Sequence, residues 1–278
     1  MPETGALLVC ATPIGNLGDV TARVLDALRD ADVVLAEDTR VTRKLFSRYD
    51  IATPLERYDE ATARTRTPAI VERIAAGERT ALVSDAGTPG VSDPGAYLVS
   101  ACLDAGLRVE VLPGASAILT ALVASGLPTH AFYFGGFLPR KAGERTRLLE
   151  GLAGLDATLI FYESPKRTAS ALAALAEAFP ARSGAMAREL TKLHEEVVRG
   201  PLPELAEQIG ARESLKGEVV LLVGPPVAAE QPAGVFDPAE ARELVADLVA
   251  SGLKRTEAVK RVAAQLGVAR NDVYDASL

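Results

Sequence analysis

The sequence predicts an α/β protein: two α/β domains, a parallel sheet and then a mixed sheet, with a small C-terminal helical module. Three observations carry this. Short apolar runs alternate with segments of helical periodicity, the last runs of the second set lie close together, and a Pro- and Ala-rich stretch precedes the final amphipathic segments.

In the first set the strands are "ALLVC" (6–10), "VVLA" (33–36), "TALVS" (80–84) and "RVEVL" (108–112). Between them Leu25 and Leu28, then Ile70 and Ile74, then Leu98, Cys102 and Leu103 supply the apolar faces of helices. Such alternation predicts a parallel sheet with helices on both sides. The second set begins near "AFYFGGF" (131–137) and continues through "ATLIFYES" (157–164), "SGAMARE" (183–189), "HEEVVRG" (194–200) and "GEVVLLVG" (217–224). The stretch "GPPVAAEQPAGVF" (224–236) is a linker by composition. Beyond it, "AAQLGVARNDVYDA" (263–276) spaces Ala263, Gly267 and Val273 as a helix-turn-helix does, with Gly at the turn. The expected division is therefore 1–118, 119–225 and 237–278.

A chain of 278 residues holds two domains with proper cores, and 48% hydrophobic with 24% charged residues is ordinary globular composition. No apolar run approaches a membrane span, and "MPETGALLVCATPIG" lacks the basic start of a signal peptide. Cys10 and Cys102 lie in apolar stretches and read as buried thiols. With His130 and His194 the only histidines, a zinc site or a disulfide scaffold has no ligand set, so no metal is expected and the expected location is cytoplasmic. A net charge of −7 argues against general attraction to nucleic acid, yet "TRVTRKLFSR" (39–48) carries four cations and no acid, and "PRKAGERTR" (139–147) four cations against one Glu. Taken singly, each reads as a solvated helix face.

The informative feature is where the unusual loops fall. "ATPIGNLGD" (11–19), "EDTRVTRK" (37–44), "DAGTPGVSDPG" (85–95) and "PGASA" (113–117) all follow strands of the first sheet. That carboxyl edge is where open α/β sheets bind ligands. The third loop runs to about ten residues, beyond an ordinary βα connection, and its glycines let backbone amides approach a ligand. Its end, Ser92-Asp93-Pro94, reads as a helix start. Neither a full G-x-G-x-x-G nor a G-x-x-x-x-G-K-[ST] is present, which disfavours NAD and P-loop nucleotides. "VVLAEDTRVT" shares an apolar strand, two acids and hydroxyl residues with phosphoribosyltransferase loops, but Arg43-Lys44 stand where that loop needs small residues.

Taken together, "ATPIGNLGDVTAR", "AEDTRVTRKL", "VSDAGTPGVSDPG", "PGASAILTALVASGLP", "FGGFLPRK", "FYESPKR" and "ARELTKLHEE" resemble, in order over roughly residues 6–224, the small-subunit (16S) ribosomal RNA (cytidine-2′-O)-methyltransferases of the tetrapyrrole methylase superfamily. The resemblance implies a folded S-adenosylmethionine held between two α/β domains, an RNA or ribosomal-subunit substrate, and a homodimer. On it, Asp85, Ala86, Gly87 and Thr88 hold the amino-acid end of the cofactor through backbone groups. Ser116 and Ala117 offer amides to its carboxylate, and Pro13 and Ile14 form an apolar wall. Tyr162, Met186 and Ala187 surround the adenine by resemblance alone. An anionic Asp85 near a sulfonium is favourable.

Lys192 is the leading catalytic candidate, with Glu189 beside it to position or deprotonate it and Asp38 as the rival base. Outside the motif, Lys192 reads as a surface lysine. Arg40, Arg43, Lys44, Arg140, Lys141, Lys166 and Arg167 are the candidate phosphate contacts, and Phe137 and Tyr162 the candidates to touch a splayed base. Two other readings stay open: a small-molecule, tetrapyrrole-like methyltransferase, and a non-enzymatic RNA-binding module.

Overall fold

The computed structural model describes residues 5–226, 238–266, 268 and 270–277. The first part runs β1 (Ala6–Cys10), a 3-10 turn (Leu17–Asp19), α1 (Ala22–Asp30), β2 (Val33–Ala36), α2 (Thr39–Arg48), β3 (Leu55–Arg57), α3 (Glu60–Ala75), β4 (Arg79–Val83), α4 (Gly95–Asp104) and β5 (Arg108–Leu112). Its strands pair in the order β3-β2-β4-β1-β5, all parallel.

β1 and β2 are buried along their whole length, as a parallel strand covered on both faces must be. Alternation assigns the faces: Leu8 and Cys10 pack with Val24, Leu28 and Leu45, while Leu7 and Val9 pack with Ile70, Ile74, Leu98 and Cys102. Each fully buried Leu or Ile contributes about 1.5–3 kcal/mol. Burial also pushes the thiols up, Cys10 to about 12 and Cys102 to about 11, which leaves both inert.

Two expectations are corrected here. Leu103 is 58% exposed, because the buried stripe of α4 runs through Gly95, Leu98 and Cys102. β3 has no counterpart in the sequence reading, since a three-residue, half-buried edge strand with two charged residues carries no apolar signal.

The second part contains α5 (Ala117–Ser125), β6 (Phe132–Phe137), α6 (Ala142–Leu152), β7 (Thr158–Glu163), α7 (Thr168–Ala178), β8 (Ser183–Arg188), β9 (Glu196–Pro201), α8 (Leu202–Gly210) and β10 (Val219–Val223). The sheet order is β6-β7-β10-β8-β9, with β6 parallel to β7 and the other pairings antiparallel. α6, α7 and α8 cover one face, where Leu149, Leu172 and Leu205 meet Leu159, Phe161 and Leu221. α5 covers the other, packing Ala121 and Leu122 against Ile160, Ala185 and Leu222. A division at 118/119 cuts α5, which belongs with the second sheet.

α9 (Pro238–Ala250), α10 (Arg255–Leu266) and α11 (Arg270–Ala276) follow. They share a core of their own that includes Ala241, Val245, Val259, Val262, Ala263 and Val273. Arg242 Nε donates to the Ala276 carbonyl at 2.9 Å and ties the first of these helices to the last. Gly267, linker residues 227–236 and the first four residues of the chain lie outside the described residues. Among the described residues no helix is long and apolar enough to cross a membrane.

Candidate active site

A cleft of about 460 Å³ opens between the carboxyl edge of the parallel sheet and the second domain. Its first wall is the loop after β4. Thr12 and Gly87 exchange backbone hydrogen bonds at 2.8 and 3.0 Å, and Thr12 Oγ1 donates to the Ser84 carbonyl at 3.0 Å, so the loops after β1 and β4 are stitched together. Gly87 has φ +79°, a conformation that only glycine adopts without strain. Asp93 Oδ1 accepts from the amides of Gly90 and Gly95, at 2.6 and 2.8 Å. The helix start expected at Ser92-Asp93-Pro94 therefore works differently. Asp93 closes the turn, Ser92 adopts φ +65°, and Pro94 holds the cap position without a side-chain bond.

The lining is one-sided in charge. Glu37, Asp85, Asp93, Glu163 and Glu218 face the cleft, and among the described lining residues none is Lys or Arg. Glu163 pairs with Arg167 and Glu218 with Lys192, at 3.1 and 3.2 Å, but Glu37, Asp85 and Asp93 make no ion pair among the described residues. Burial, then the charges of Asp85 and Asp93, push the Glu37 carboxyl up. Burial likewise raises Asp85, against the hydrogen bond it accepts from the Asp38 amide at 3.0 Å. The cleft thus has a negative potential poised for a cation.

The opposite wall is aromatic and apolar. Tyr162 makes edge contacts with Phe134 and Phe137, at 4.9 and 5.7 Å between ring centroids. Ser116 caps α5 by accepting from the Leu119 amide at 3.4 Å, and Ala117 and Ile118 line the cleft in the first turn, where amides lack intrahelical partners.

Of the expected cofactor residues, Ile14, Asp85, Ala86, Gly87, Thr88, Ser116, Ala117 and Tyr162 line this cleft. Pro13 is absent from the lining. The side chains of Met186 and Ala187 are fully buried instead: Met186 faces the α7 and α8 side, and Ala187 packs in the layer with Ile14 and Val220. Glu37, Asp93, Glu163 and Glu218 are lining residues that sequence reasoning missed. Glu37 and Asp93 lie inside loops it had singled out, whereas Glu218 gives no local signal.

Lys192 and Glu189 belong to a strained turn, with φ +51° at Glu189 and +64° at Thr191. The Glu189 carboxylate accepts from the Glu218 amide at 3.0 Å and from Lys192 Nζ at 2.9 Å. Burial lowers Lys192, but the carboxylates of Glu189 and Glu218 outweigh it and hold the ammonium above the usual lysine value. The hydrogen bond from Lys192 holds Glu189 below the ordinary carboxylate range despite its burial. Each member of the pair thus favours the charged form of the other. The turn is locked to the first domain by the Asn16 amide, which donates to Thr191 Oγ1 at 3.0 Å.

Asp38, the rival candidate, is engaged within its own helix. It caps α2, and the hydrogen bonds it accepts from the Arg40 side chain and amide bring its carboxyl down to about 2. Arg40 is correspondingly engaged, at 2.6 Å, whereas Arg43 and Lys44 are exposed on α2. Arg140 and Lys166 are exposed in loops beside the cleft residues Phe137 and Pro165, and Lys141 pairs with Glu144 at 2.9 Å. Arg167 is withdrawn from the free basic set. Its guanidinium donates to the carbonyls of Leu138 and Pro139 and pairs with Glu163, tying two loops together.

Comparison with known proteins agrees with this architecture. A protein of Mesorhizobium japonicum named ribosomal RNA small subunit methyltransferase I is 49% identical over 236 residues, 84% of this chain and 80% of that protein. One of the same name from Halalkalibacterium halodurans is 42% identical over 98% of this chain and 94% of its own. Among solved structures, the methyltransferase CobJ superposes with a TM-score of 0.61 at 26% identity, over 80% of this chain and 94% of CobJ. The family model described as Tetrapyrrole (Corrin/Porphyrin) Methylases matches residues 6–206, and the chain belongs to that family.

Proposed function

We propose that this chain is an S-adenosylmethionine-dependent methyltransferase that 2′-O-methylates a cytidine ribose in small-subunit (16S) ribosomal RNA. The observation that carries the cofactor is the cleft itself: three carboxylates without an ion pair on one wall, an aromatic opposite wall and, among the described residues, no lining cation suit a sulfonium and repel a polyphosphate. The relatives' name supports the RNA substrate, as do the exposed cations on the cleft rim.

The residues present fit the cofactor. Asp85, Ala86, Gly87 and Thr88 would hold its amino-acid end, the first turn of α5 its carboxylate, and Tyr162 its adenine. Bound there, it supplies a methyl group already activated on a positively charged sulfur. The chain's own task is alignment and exclusion of water, with handling of the hydroxyl proton. Lys192 Nζ steadies the ribose oxygen as negative charge develops on it. Glu218, 71% exposed and paired with Lys192, accepts the proton, while Glu189 holds the ammonium in place.

The domain division we propose places α5 with the second sheet and treats the three C-terminal helices as a separate unit. Exposed Val111 on the edge strand β5, with Leu119 and Val123 on α5, supports a homodimer, and the cytoplasm is the proposed location. Calorimetry with S-adenosylmethionine, run beside methyl transfer to small ribosomal subunits and to a tetrapyrrole, tests the reading. Transfer to the tetrapyrrole alone refutes it.

A further inference from the structure

The stretch 254–261 packs four cations, Lys254, Arg255, Lys260 and Arg261, against the single acid Glu257, and all four are exposed. Among the described residues none of them makes an ion pair, in contrast to Arg23, Arg40, Arg73, Arg188 and Arg212 in the α/β domains. The buried residues of α10, Ala258, Val259, Val262 and Ala263, leave Lys260 and Arg261 on its exposed side, and Lys254 and Arg255 are exposed at its N-terminal end. Three acids of the module, Glu240, Glu243 and Asp247, lie on α9 and two, Asp272 and Asp275, on α11, which leaves 254–261 as its one stretch with a cationic excess among the described residues. On α11, Arg270 and Tyr274 share an exposed face one turn apart, and Tyr274 is 45% exposed.

The comparisons bear on the same helices. The family match ends at residue 206, and CobJ, covered over 94% of its length, accounts for 80% of this chain, the share that the two α/β domains alone provide. The relative from Halalkalibacterium halodurans covers 98% of the chain. We infer that the C-terminal module is an RNA anchor: the basic face of α10 binds phosphates of the substrate RNA away from the reacting ribose, and Tyr274 stacks on an unpaired base. This rests on the RNA reading of the cleft. It adds a binding surface separate from the catalytic cleft.

The test uses the full chain carrying Lys254→Gln, Arg255→Gln, Lys260→Gln and Arg261→Gln together. Affinity for small-subunit RNA should fall at least tenfold, and the slope of log K against log salt should shrink by about four, since each of the four lost phosphate contacts removes about one. S-adenosylmethionine affinity and the single-turnover rate at saturating subunits should stay unchanged. Tyr274→Ala should weaken binding with the salt slope intact. Unaltered affinity and slope in the fourfold variant overturn the proposal, as does tighter binding of duplex DNA than of RNA at the same salt. The binding arms need no methyl transfer. A wild-type protein that fails to methylate RNA therefore counts against the cleft reading and leaves the anchor judged on its own.

Discussion

Gly15 of the first domain and Lys192 of the second meet so closely that a Cβ built on Gly15 would stand 2.5 Å from Lys192 Cγ, 2.7 Å from Thr191 Oγ1 and 2.9 Å from the Leu190 carbonyl. The ammonium is thus positioned from both sides, by carboxylates of its own domain and by the bare backbone of the other. Gly15→Ala should push the turn away and lower kcat by about tenfold or more, at a stability cost of about 1–3 kcal/mol. Thermal melting beside single-turnover methyl transfer checks this. A full rate in a destabilised protein would separate Gly15 from the chemistry.

Lys192→Ala should slow methyl transfer by about 10²–10⁴-fold, the range for positioned proton-transfer groups. Cofactor and RNA affinities should change far less, because the interaction strengthens as charge develops on the oxygen. Lys192→Arg should rescue poorly, since a planar fork does not fit between Glu189 and Glu218 as a point charge does. An unchanged rate at saturating RNA would move Lys192 among the phosphate contacts.

Gly87→Val tests the cofactor loop. The obstacle is backbone conformation, because a Cβ there would meet only Ile14 Cγ2 at 3.7 Å and the Ala115 carbonyl at 3.8 Å, while φ is +79°. A valine at this φ costs about 1–3 kcal/mol and displaces the loop, so calorimetry should show at least tenfold weaker binding in a folded protein. Acidification acts on the same wall. Burial raises the Glu37 and Asp85 carboxyls from their ordinary values, so affinity for the cationic cofactor should decline as pH falls and they take up protons. Asp85→Asn should blunt that decline.

Glu196 lies between two arginines, with Arg212 bonded bidentately at 2.7 and 2.8 Å and Arg188 at 3.1 Å. The hydrogen bonds from Arg212 lead in holding its carboxyl at about 2. A lowered folded-state value stabilises the fold above the unfolded glutamate value, near 4.3, and that stability is lost as pH falls toward about 2. After solvent screening the contribution is about 1–2 kcal/mol. Glu196→Gln should lose it at neutral pH and flatten the acid limb in chemical denaturation between about pH 4 and 2.

Most of this architecture is legible in the sequence, for physical reasons. Inner parallel strands such as Leu7 to Cys10 must be apolar on both faces, and the Gly-rich loop 84–94 advertises a backbone-lined site. Pairing between distant side chains leaves no such trace. Nothing local shows that Arg167 turns inward to Leu138 and Pro139, that Arg40 is held by Asp38, or that Glu218 reaches Lys192. Met186 reads as a cleft residue from its motif, yet strand alternation turns its side chain into the core of the second domain.

The central claim is tested most directly by transfer of a labelled methyl group from S-adenosylmethionine to small ribosomal subunits, with digestion of the RNA to nucleosides. The account predicts label in 2′-O-methylcytidine from 16S RNA, formed by the wild-type chain and about 10²–10⁴-fold more slowly by Lys192→Ala. Label on a base, on protein or on a tetrapyrrole, with none on ribose, would contradict it.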